Sequence, residues 1–459
     1  MSVNAGARLD RLPMSRFHRR IFWLIGIGMF FDGFDIYVAS TVIGAIVASH
    51  FATLAETAQF VSMTFVGMTI GSLGTGFLGD RFGRRFTYQA NLMIFGLASL
   101  AAAVAPNMGF LIACRFMMGV GLGAENVVGY STLTEFMPPA VRGRMQGLMT
   151  VFVVTGLPVS SLIGIVLVPA AGWRLMFVLG GLGAIAVWYV RKQLPESPRW
   201  LAATGRDADA EALLASIEAE VAADRGPLPA IPDGPAPRFS RSIDSLFAPG
   251  MLRRMVVGCV LLIVINTLIY GFITWLPTFF IKQGMTIVKS FGFALVMSLG
   301  APVGSAIGAL TADRWGRRRM IVIASALAIA VGAIYPFVSD PALLMVCGVA
   351  LVVPIYILVA LLFGIYVPEL FPTEVRLRAS GICNTLGRAA TIGTPFLVVT
   401  LFGSHGVAGV LALMIALLVL QIVMVVGWGV ETRGRTLEDV AADVVRSPLP
   451  VATDVSTRL

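Results

Sequence analysis

Charge is scarce in this chain. Only 13% of its 459 residues are charged, against about 25% in a soluble domain. Hydrophobic residues make up 57% and the mean hydropathy is +0.86, more apolar sequence than a soluble core of this length uses. A soluble enzyme, a disordered chain and a fibrous protein are excluded; an integral membrane protein remains. Histidine is scarcer still: His18, His50 and His405 are isolated near the ends of apolar runs, without metal-ligand spacing. Cys114, Cys259, Cys347 and Cys383 all fall inside apolar runs and read as small buried hydrophobes, not as a disulfide or zinc framework. No nucleophile elbow, triad or Walker-type loop is present, so neither catalysis nor a metal or cofactor is expected. Acidic residues are the rarer sign, 25 against 34 basic for a net +9. The basic ones crowd into short turns between apolar runs, which is the positive-inside pattern of membrane topology and not a nucleic-acid face.

Long apolar runs are what the chain does have. A spanning helix needs ~20 mostly apolar residues. Twelve such runs begin near Ile21, Ala58, Tyr88, Phe110, Arg144, Trp173, Met255, Ser290, Met320, Ala342, Ala379 and Gly406. Arg8, Arg11, Arg16, Arg19 and Arg20 precede the first run as in a signal peptide. That run is too long for one and carries two aspartates, so it is a span. One set of turns holds Arg81, Arg84, Arg85, Arg142, Arg144, Arg314, Arg317, Arg318, Arg319, Arg376 and Arg378; the opposite set holds few, Arg174, Lys282 and Lys289. This asymmetry places both termini and the one long polar loop in the cytoplasm of a cell whose inner (plasma) membrane the chain crosses. Within the loop, residues 207–224 form an amphipathic pattern with Leu213, Leu214, Ile217 and Val221 on one side. A semi-rigid linker follows, with Pro227, Pro229, Pro232, Pro235 and Pro237. The expected organisation is a cytoplasmic segment 1–20, a six-helix bundle 21–192, a middle loop 193–253, a second six-helix bundle 254–429 and a tail 430–459.

The two halves echo each other. Asp80-Arg81-Phe82-Gly83-Arg84-Arg85 returns as Asp313-Arg314-Trp315-Gly316-Arg317-Arg318, and Glu135-x-x-Pro138-x-x-Val141-Arg142-x-Arg144 returns as Glu369-x-x-Pro372-x-x-Val375-Arg376-x-Arg378. The offsets are 233 and 234 residues. Two separate motifs at one spacing imply duplicated six-helix bundles, a two-half transporter plan with its site at the interface.

The paired Asp-Arg-x-Gly-Arg-Arg turns resemble the signature of the major facilitator superfamily, and the resemblance covers essentially the whole chain. Pro195-Glu196-Ser197-Pro198-Arg199, after the sixth run, looks like the corresponding sugar-porter element. Glu431-Thr432-Arg433-Gly434-Arg435-Thr436-Leu437-Glu438 looks like that branch's closing motif. The seventh run departs from the branch: Asn266-Thr267-Leu268-Ile269-Tyr270-Gly271 stands where sugar porters carry a Gln-Gln-x-x-Gly-like element. It looks more like organic-acid and nicotinate-type carriers. Asp32-Gly33-Phe34-Asp35 resembles the mark of aromatic acid/proton symporters, and the nearest group is the metabolite/proton symporters. The resemblance implies an all-α membrane protein of twelve transmembrane helices in two pseudo-symmetric bundles.

A charge inside a span costs roughly 2.5–3.5 kcal/mol, so each one is a functional candidate. The sequence offers Asp32, Asp35, Arg115, Glu125 and Arg388. At ~1.5 Å rise per residue, Asp32 lies ~16 Å and Asp35 ~21 Å into a ~30 Å core, with Arg115 level with Asp35 and Arg388 near Asp32. Asp32 and Asp35 are i, i+3 on one helix face. Neighbouring carboxylates repel, and desolvation favours their neutral form. Both effects suit a proton carrier, which an arginine opposes by pairing with the charged form. By resemblance to proton-coupled sugar porters, Asp35 and Arg115 couple protons; a static pair that orients helices is the other reading. Arg388 looks like the arginine of organic-anion carriers that faces the substrate carboxylate, for which a planar guanidinium is suited; pairing with Glu369 or snorkelling is its alternative. For Glu125 three readings stay open: a substrate donor, a proton, or a structural partner. The preceding Gly119-x-Gly121-x-Gly123 serves close helix packing, not a nucleotide. Tyr270, Trp275, Asn266 and Tyr356 are candidates to stack on and hydrogen-bond a planar ring, against a packing role.

At the cytoplasmic ends Glu135, Glu196, Glu369 and Glu431 are expected to pair with Arg81, Arg84, Arg142, Arg314, Arg317 and Arg376. By resemblance, such pairs form a gate with Asp80, Gly83, Arg85, Arg199, Asp313 and Gly316. The glycines allow the tight turn. The expected function is proton-coupled uptake of a small organic acid by alternating access, by a monomer in the lipid bilayer. A sugar/proton symporter, a drug or metabolite exporter and a non-transporting nutrient sensor are the alternatives.

Overall fold

The computed structural model describes residues 4–231, 249–282, 284–338, 340–371 and 376–432. All regular structure among them is helical. Ten helices are long and apolar enough to cross a bilayer. Leu54–Phe82 adds a span of 29 residues, diluted by glycine and threonine. Ala379–Trp428 holds two spans, because Gly406 breaks it at φ 62°. The result is a twelve-helix membrane fold.

Spans 1 to 4 are Arg16–Ala48, Leu54–Phe82, Arg84–Ala103 and Met108–Phe136. Span 5 is Pro139–Val154 continued by Gly156–Ala171, and span 6 is Arg174–Val190. Span 7 runs as Pro249–Gly271, a 3-10 turn Ile273–Trp275, and Leu276–Lys282. The new helix starts where Pro277, lacking an N–H, is best tolerated. Span 8 is Ile287–Ser298 continued by Gly300–Trp315, and span 9 is Arg317–Ile334. Span 10 is Pro341–Val359, wound as a π-helix over Ala360–Tyr366, and spans 11 and 12 share Arg376–Trp428. Several helices start before the apolar runs predict, span 1 at Arg16 and span 7 at Pro249. The backbone stays helical beyond the apolar stretch, through the charged turns that hydropathy excludes.

The two halves meet where spans 2 and 11 pack together and where spans 5 and 8 do. Several contacts between the halves are neutral. Ser62 Oγ donates to Ile392 O at 2.7 Å, the Tyr37 and Tyr356 hydroxyls share a bond of 2.9 Å, and the Tyr270 ring sits edge-on to Phe65 at 4.5 Å.

The repeated arginine turns share one geometry. Gly83 and Gly316 have φ of 91° and 89°, which only glycine adopts without strain. Each precedes a helix whose first N–H groups lack internal acceptors, and a glutamate from after the last span of that half fills them. Glu196 accepts from the Arg84 and Arg85 N–H at 2.8 and 3.2 Å. Glu431 accepts from the Arg317 and Arg318 N–H at 3.0 and 3.1 Å. A carboxylate there also meets the positive end of the helix dipole. The side chains then repeat the theme: Arg84 pairs with Glu135 at 3.2 Å and Arg317 with Glu369 at 3.0 Å.

The first half carries a collar at the same end. Ala5–Asp10 and Pro198–Ala203 pack on the helix Asp207–Arg225, which buries Ala210, Leu214, Ile217 and Val221. Arg8 and Arg11 meet Glu218 at 2.6 and 2.8 Å, and the Arg8 hydrogen bond holds that carboxyl below its ordinary range. Asp10 receives Arg142 at 2.8 Å and Arg199 at 2.7 Å. Arg142 therefore does not pair with any of the four expected glutamates, because Asp10 stands nearer. Arg81 and Arg314 are exposed, the Arg81 guanidinium lying 5.4 Å from the Phe82 ring. The side chains of Asp80, Asp313 and Arg376 lie outside the described part, as do Pro232, Pro235, Pro237 and the motif residues 372–375 and 433–438.

Gly83→Ala and Gly316→Ala are each expected to lower the midpoint of thermal unfolding in detergent, from a local strain of ~1–3 kcal/mol. Gly147→Ala, whose Cβ would meet nothing within 4 Å, serves as the neutral comparison. Equal midpoints for all three would remove the strain account.

Candidate functional site

Deep in the bundle, Asp32, Asp35, Arg115, Glu125 and Arg191 are each at most 2% exposed. Arg388 is half-buried. Span 1 supplies the two aspartates and span 4 supplies Arg115 and Glu125. Close approach of span 4 to its neighbours depends on its glycines: a Cβ on Gly121 would lie 2.8 Å from Asn91 O in span 3.

Arg115 holds Asp35 firmly. One guanidinium nitrogen reaches Asp35 Oδ2 at 2.7 Å and the other donates to the Asp35 backbone carbonyl at 3.1 Å. Arg115 Nε donates to Thr64 Oγ1 at 3.0 Å, and the guanidinium faces the Phe60 ring at 5.2 Å. Asp35 Oδ1 is buried without a hydrogen-bond partner. The sequence puts Asp35 and Arg115 at one level; Thr64 and Phe60, from span 2, are not legible there.

Glu125 pairs with Arg191, the residue that follows span 6. Arg191 falls at the very end of the expected bundle 21–192, where the sequence marks no role for it; it is buried. Arg191 also donates to the carbonyls of Leu24 at 2.9 Å and Ile25 at 2.7 Å and lies over the Tyr88 ring at 4.6 Å. Glu125 Oε2 has no partner, and neither does Asp32 Oδ2. Asp32 takes part in no ion pair among the described residues, although Glu125, Arg191, Asp35 and Arg388 are all within electrostatic range.

Arg388, from span 11, crosses the seam and donates to Ser72 Oγ in span 2 at 3.2 Å. It makes no ion pair among the described residues. Glu369, its alternative partner in the sequence, is engaged by Arg317 and by Thr432 Oγ1 at 2.5 Å. Asp32, Tyr270 and Tyr130 lie within electrostatic range of Arg388. The other ring-binding candidates are spoken for or enclosed. Tyr356 is tied to Tyr37. Asn266 donates back to Leu262 O of its own helix at 2.7 Å. Trp275 is wholly buried, its Nε1 without a partner. On the arginine-poor side of these residues, Ser40, Ser161, Ser298 and Ile273 border a void of about 10 Å³, the size of one water.

Comparison with known proteins gives this geometry its context. A family model for sugar (and other) transporters matches residues 22–444. The inner membrane metabolite transport protein YdjE of Escherichia coli (strain K12) is 36% identical over 447 residues, covering 95% of this chain and 98% of that protein. The niacin transporter NiaP of Acinetobacter baylyi is 32% identical, covering 95% of this chain and 99% of its own length. Among solved structures, the xylose transporter XylE from E. coli in a partially occluded inward-open conformation superimposes with a TM-score of 0.72 at 16% identity, over 92% of this chain and all of that one. That likeness speaks for the fold. With the twelve spans and duplicated arginine turns, the family match identifies the chain as a member of the sugar (and other) transporter family, a membrane transporter of the major facilitator fold and not an enzyme.

Proposed function

We propose that this transporter takes up a small organic acid of the aromatic or heteroaromatic carboxylate class together with a proton. The observation that carries the reading is Arg388. A guanidinium inside a membrane protein needs an anionic partner, and Arg388 has a serine hydroxyl and no bonded carboxylate. It stands on the seam, beside Tyr270. A planar carboxylate fits the guanidinium fork and a ring fits the tyrosine face. The niacin transporter among the relatives is named for a pyridine carboxylate.

Charge balance links the substrate to the proton. Asp32, Asp35 and Glu125 are matched one for one by Arg115, Arg191 and Arg388. A substrate carboxylate arriving at Arg388 adds one negative charge, and a proton on Asp32 or Asp35 restores neutrality. In this reading Asp32 and Asp35 carry the proton and Arg115 tunes them. The halves 21–192 and 254–429 rock about the seam, and the paired arginine turns stiffen each half as gate elements. The excess of arginine at one end supports a cytoplasmic side for that end, with both termini, at a bacterial inner membrane. The carrier works as a monomer.

Internal pH in proteoliposomes, read by a trapped dye, tests the substrate class. A pool of aromatic and heteroaromatic carboxylates is expected to acidify the lumen beyond protein-free liposomes, and a pool of neutral sugars is not. A response to sugars alone would overturn the organic-acid reading. Arg388→Ala should weaken carboxylate affinity at least about thirtyfold, in line with ~2 kcal/mol for truncating one side of a buried charged hydrogen bond, with Arg388→Lys in between; unchanged affinity would sink the anion site. Asp35→Asn should reduce proton-driven accumulation at least about tenfold, or ~1.4 kcal/mol, and intact accumulation would free Asp35 from any coupling role.

A further inference from the structure

Glu125 and Arg191 have a geometry that a merely orienting ion pair does not require. Arg191 lies flat against the face of span 1 that bears Asp32: it bonds to the carbonyls of Leu24 and Ile25 and rests where a side chain on Gly28 would stand, a Cβ there falling 2.8 Å from Arg191 Nε. Residues 24, 28 and 32 follow one another at helical spacing, so the guanidinium ends one turn, ~6 Å of helix rise, before Asp32. It fixes the Glu125 carboxylate at that level. Three carboxylates thus step down the bundle toward the arginine-rich end: Asp35, Asp32, Glu125. Each keeps one buried oxygen with no hydrogen-bond partner, Asp35 Oδ1, Asp32 Oδ2 and Glu125 Oε2. A buried carboxylate oxygen without a donor is costly as an anion and is a place where a proton can reside.

We infer that Glu125, positioned by Arg191, is the exit station of the proton path, taking the proton from Asp32 and passing it to the cytoplasmic side. This rests on the proton-coupled reading above. It moves Glu125 from the substrate candidates to the relay and adds Arg191 as a positioning residue. In the step, the O–H bond on Asp32 breaks as one forms on Glu125 Oε2, and Arg191 stays protonated throughout. The groups around Glu125 are Arg191 at the end of span 6, Tyr88 of span 3 and Asp32 of span 1, with Asp35 and Arg388 beyond Asp32. Tyr88 continues the route. Its hydroxyl is buried beside Thr132 and lies within electrostatic range of both Glu125 and Glu135, the gate glutamate at the arginine-rich end.

The test compares two modes of transport by the full-length protein in proteoliposomes, with radiolabelled nicotinate as probe. One is exchange at equal pH, which requires no net proton movement. The other is accumulation driven by an acid-outside gradient. Glu125→Gln and Arg191→Gln are expected to lower the ratio of accumulation to exchange at least about tenfold, with Arg191→Lys recovering most of it. An unchanged ratio would overturn the relay. So would a parallel fall of both modes that the double variant E125Q/R191Q repairs, since that is the behaviour of a static pair. Should E125Q not reach the membrane, Glu125→Asp keeps the acid while shortening it and is expected to shift the pH profile of accumulation; an unshifted profile overturns the proposal. Failure of the underlying reading looks different: the unaltered protein would exchange nicotinate without gradient-driven accumulation, or Asp35→Asn would accumulate normally.

Discussion

A full charge held away from water organises this molecule. Each one costs a few kcal/mol unless it meets an opposite charge or donors in good geometry, and Asp32, Asp35, Glu125, Arg115, Arg191 and Arg388 all lie deep in the bundle. Much of the helix packing serves their meeting. Gly28 leaves room for a guanidinium, and a Cβ on Gly180 would already stand 3.5 Å from Asp35 Oδ1. Arg191 reaches two carbonyls of span 1 besides its glutamate. The two pairs so formed, Asp35 with Arg115 and Glu125 with Arg191, belong to the first half alone, while the second half brings Arg388, which makes no ion pair among the described residues.

The division of bonding matters as much as the pairs themselves. Among the described residues, every ion pair joins parts of the same half or of its collar. Each half is also closed by a glutamate that comes after its sixth span and returns to cap its third. Across the seam the bonds are hydroxyl, carbonyl and ring contacts, apart from the single reach of Arg388 to Ser72. Neutral hydrogen bonds contribute about 0.5–1.5 kcal/mol each. Two bodies stiff within themselves and lightly joined between are what a rocking motion needs.

Much of this was legible in the sequence and some was not, for identifiable reasons. The span count, the duplication and the level of Asp35 with Arg115 follow from hydropathy, from repeated turns and from helical rise, all local or periodic quantities. The role of Gly83 and Gly316 was half legible: the turn calls for glycine, but the glutamate that occupies the helix start comes from far along the chain. Arg191 was not legible. A basic residue at the end of an apolar run is ordinarily a topology signal, and nothing near it in sequence points to Leu24, Ile25 or Glu125. Residue type alone also does not reveal the local partners of three of the aromatic and amide candidates. Asn266 is satisfied by its own helix, Tyr356 by Tyr37, and Trp275 is packed away at the break in span 7. Tyr130 and Tyr88 have no motif to mark them and matter through what they stand beside.

The collar on the first half has a consequence for the conditions in which the carrier works. Its ion pairs include arginines open to water, Arg16 with Asp224 and Arg20 with Glu220, where dissolved salt at ~0.15 M screens charge beyond ~8 Å. The pairs inside the bundle are shielded from that screening. Ionic strength on the collar's side of the membrane therefore acts on the collar and not on the buried pairs: raising it would loosen the outer fastening of one half while the charges inside the bundle kept their balance.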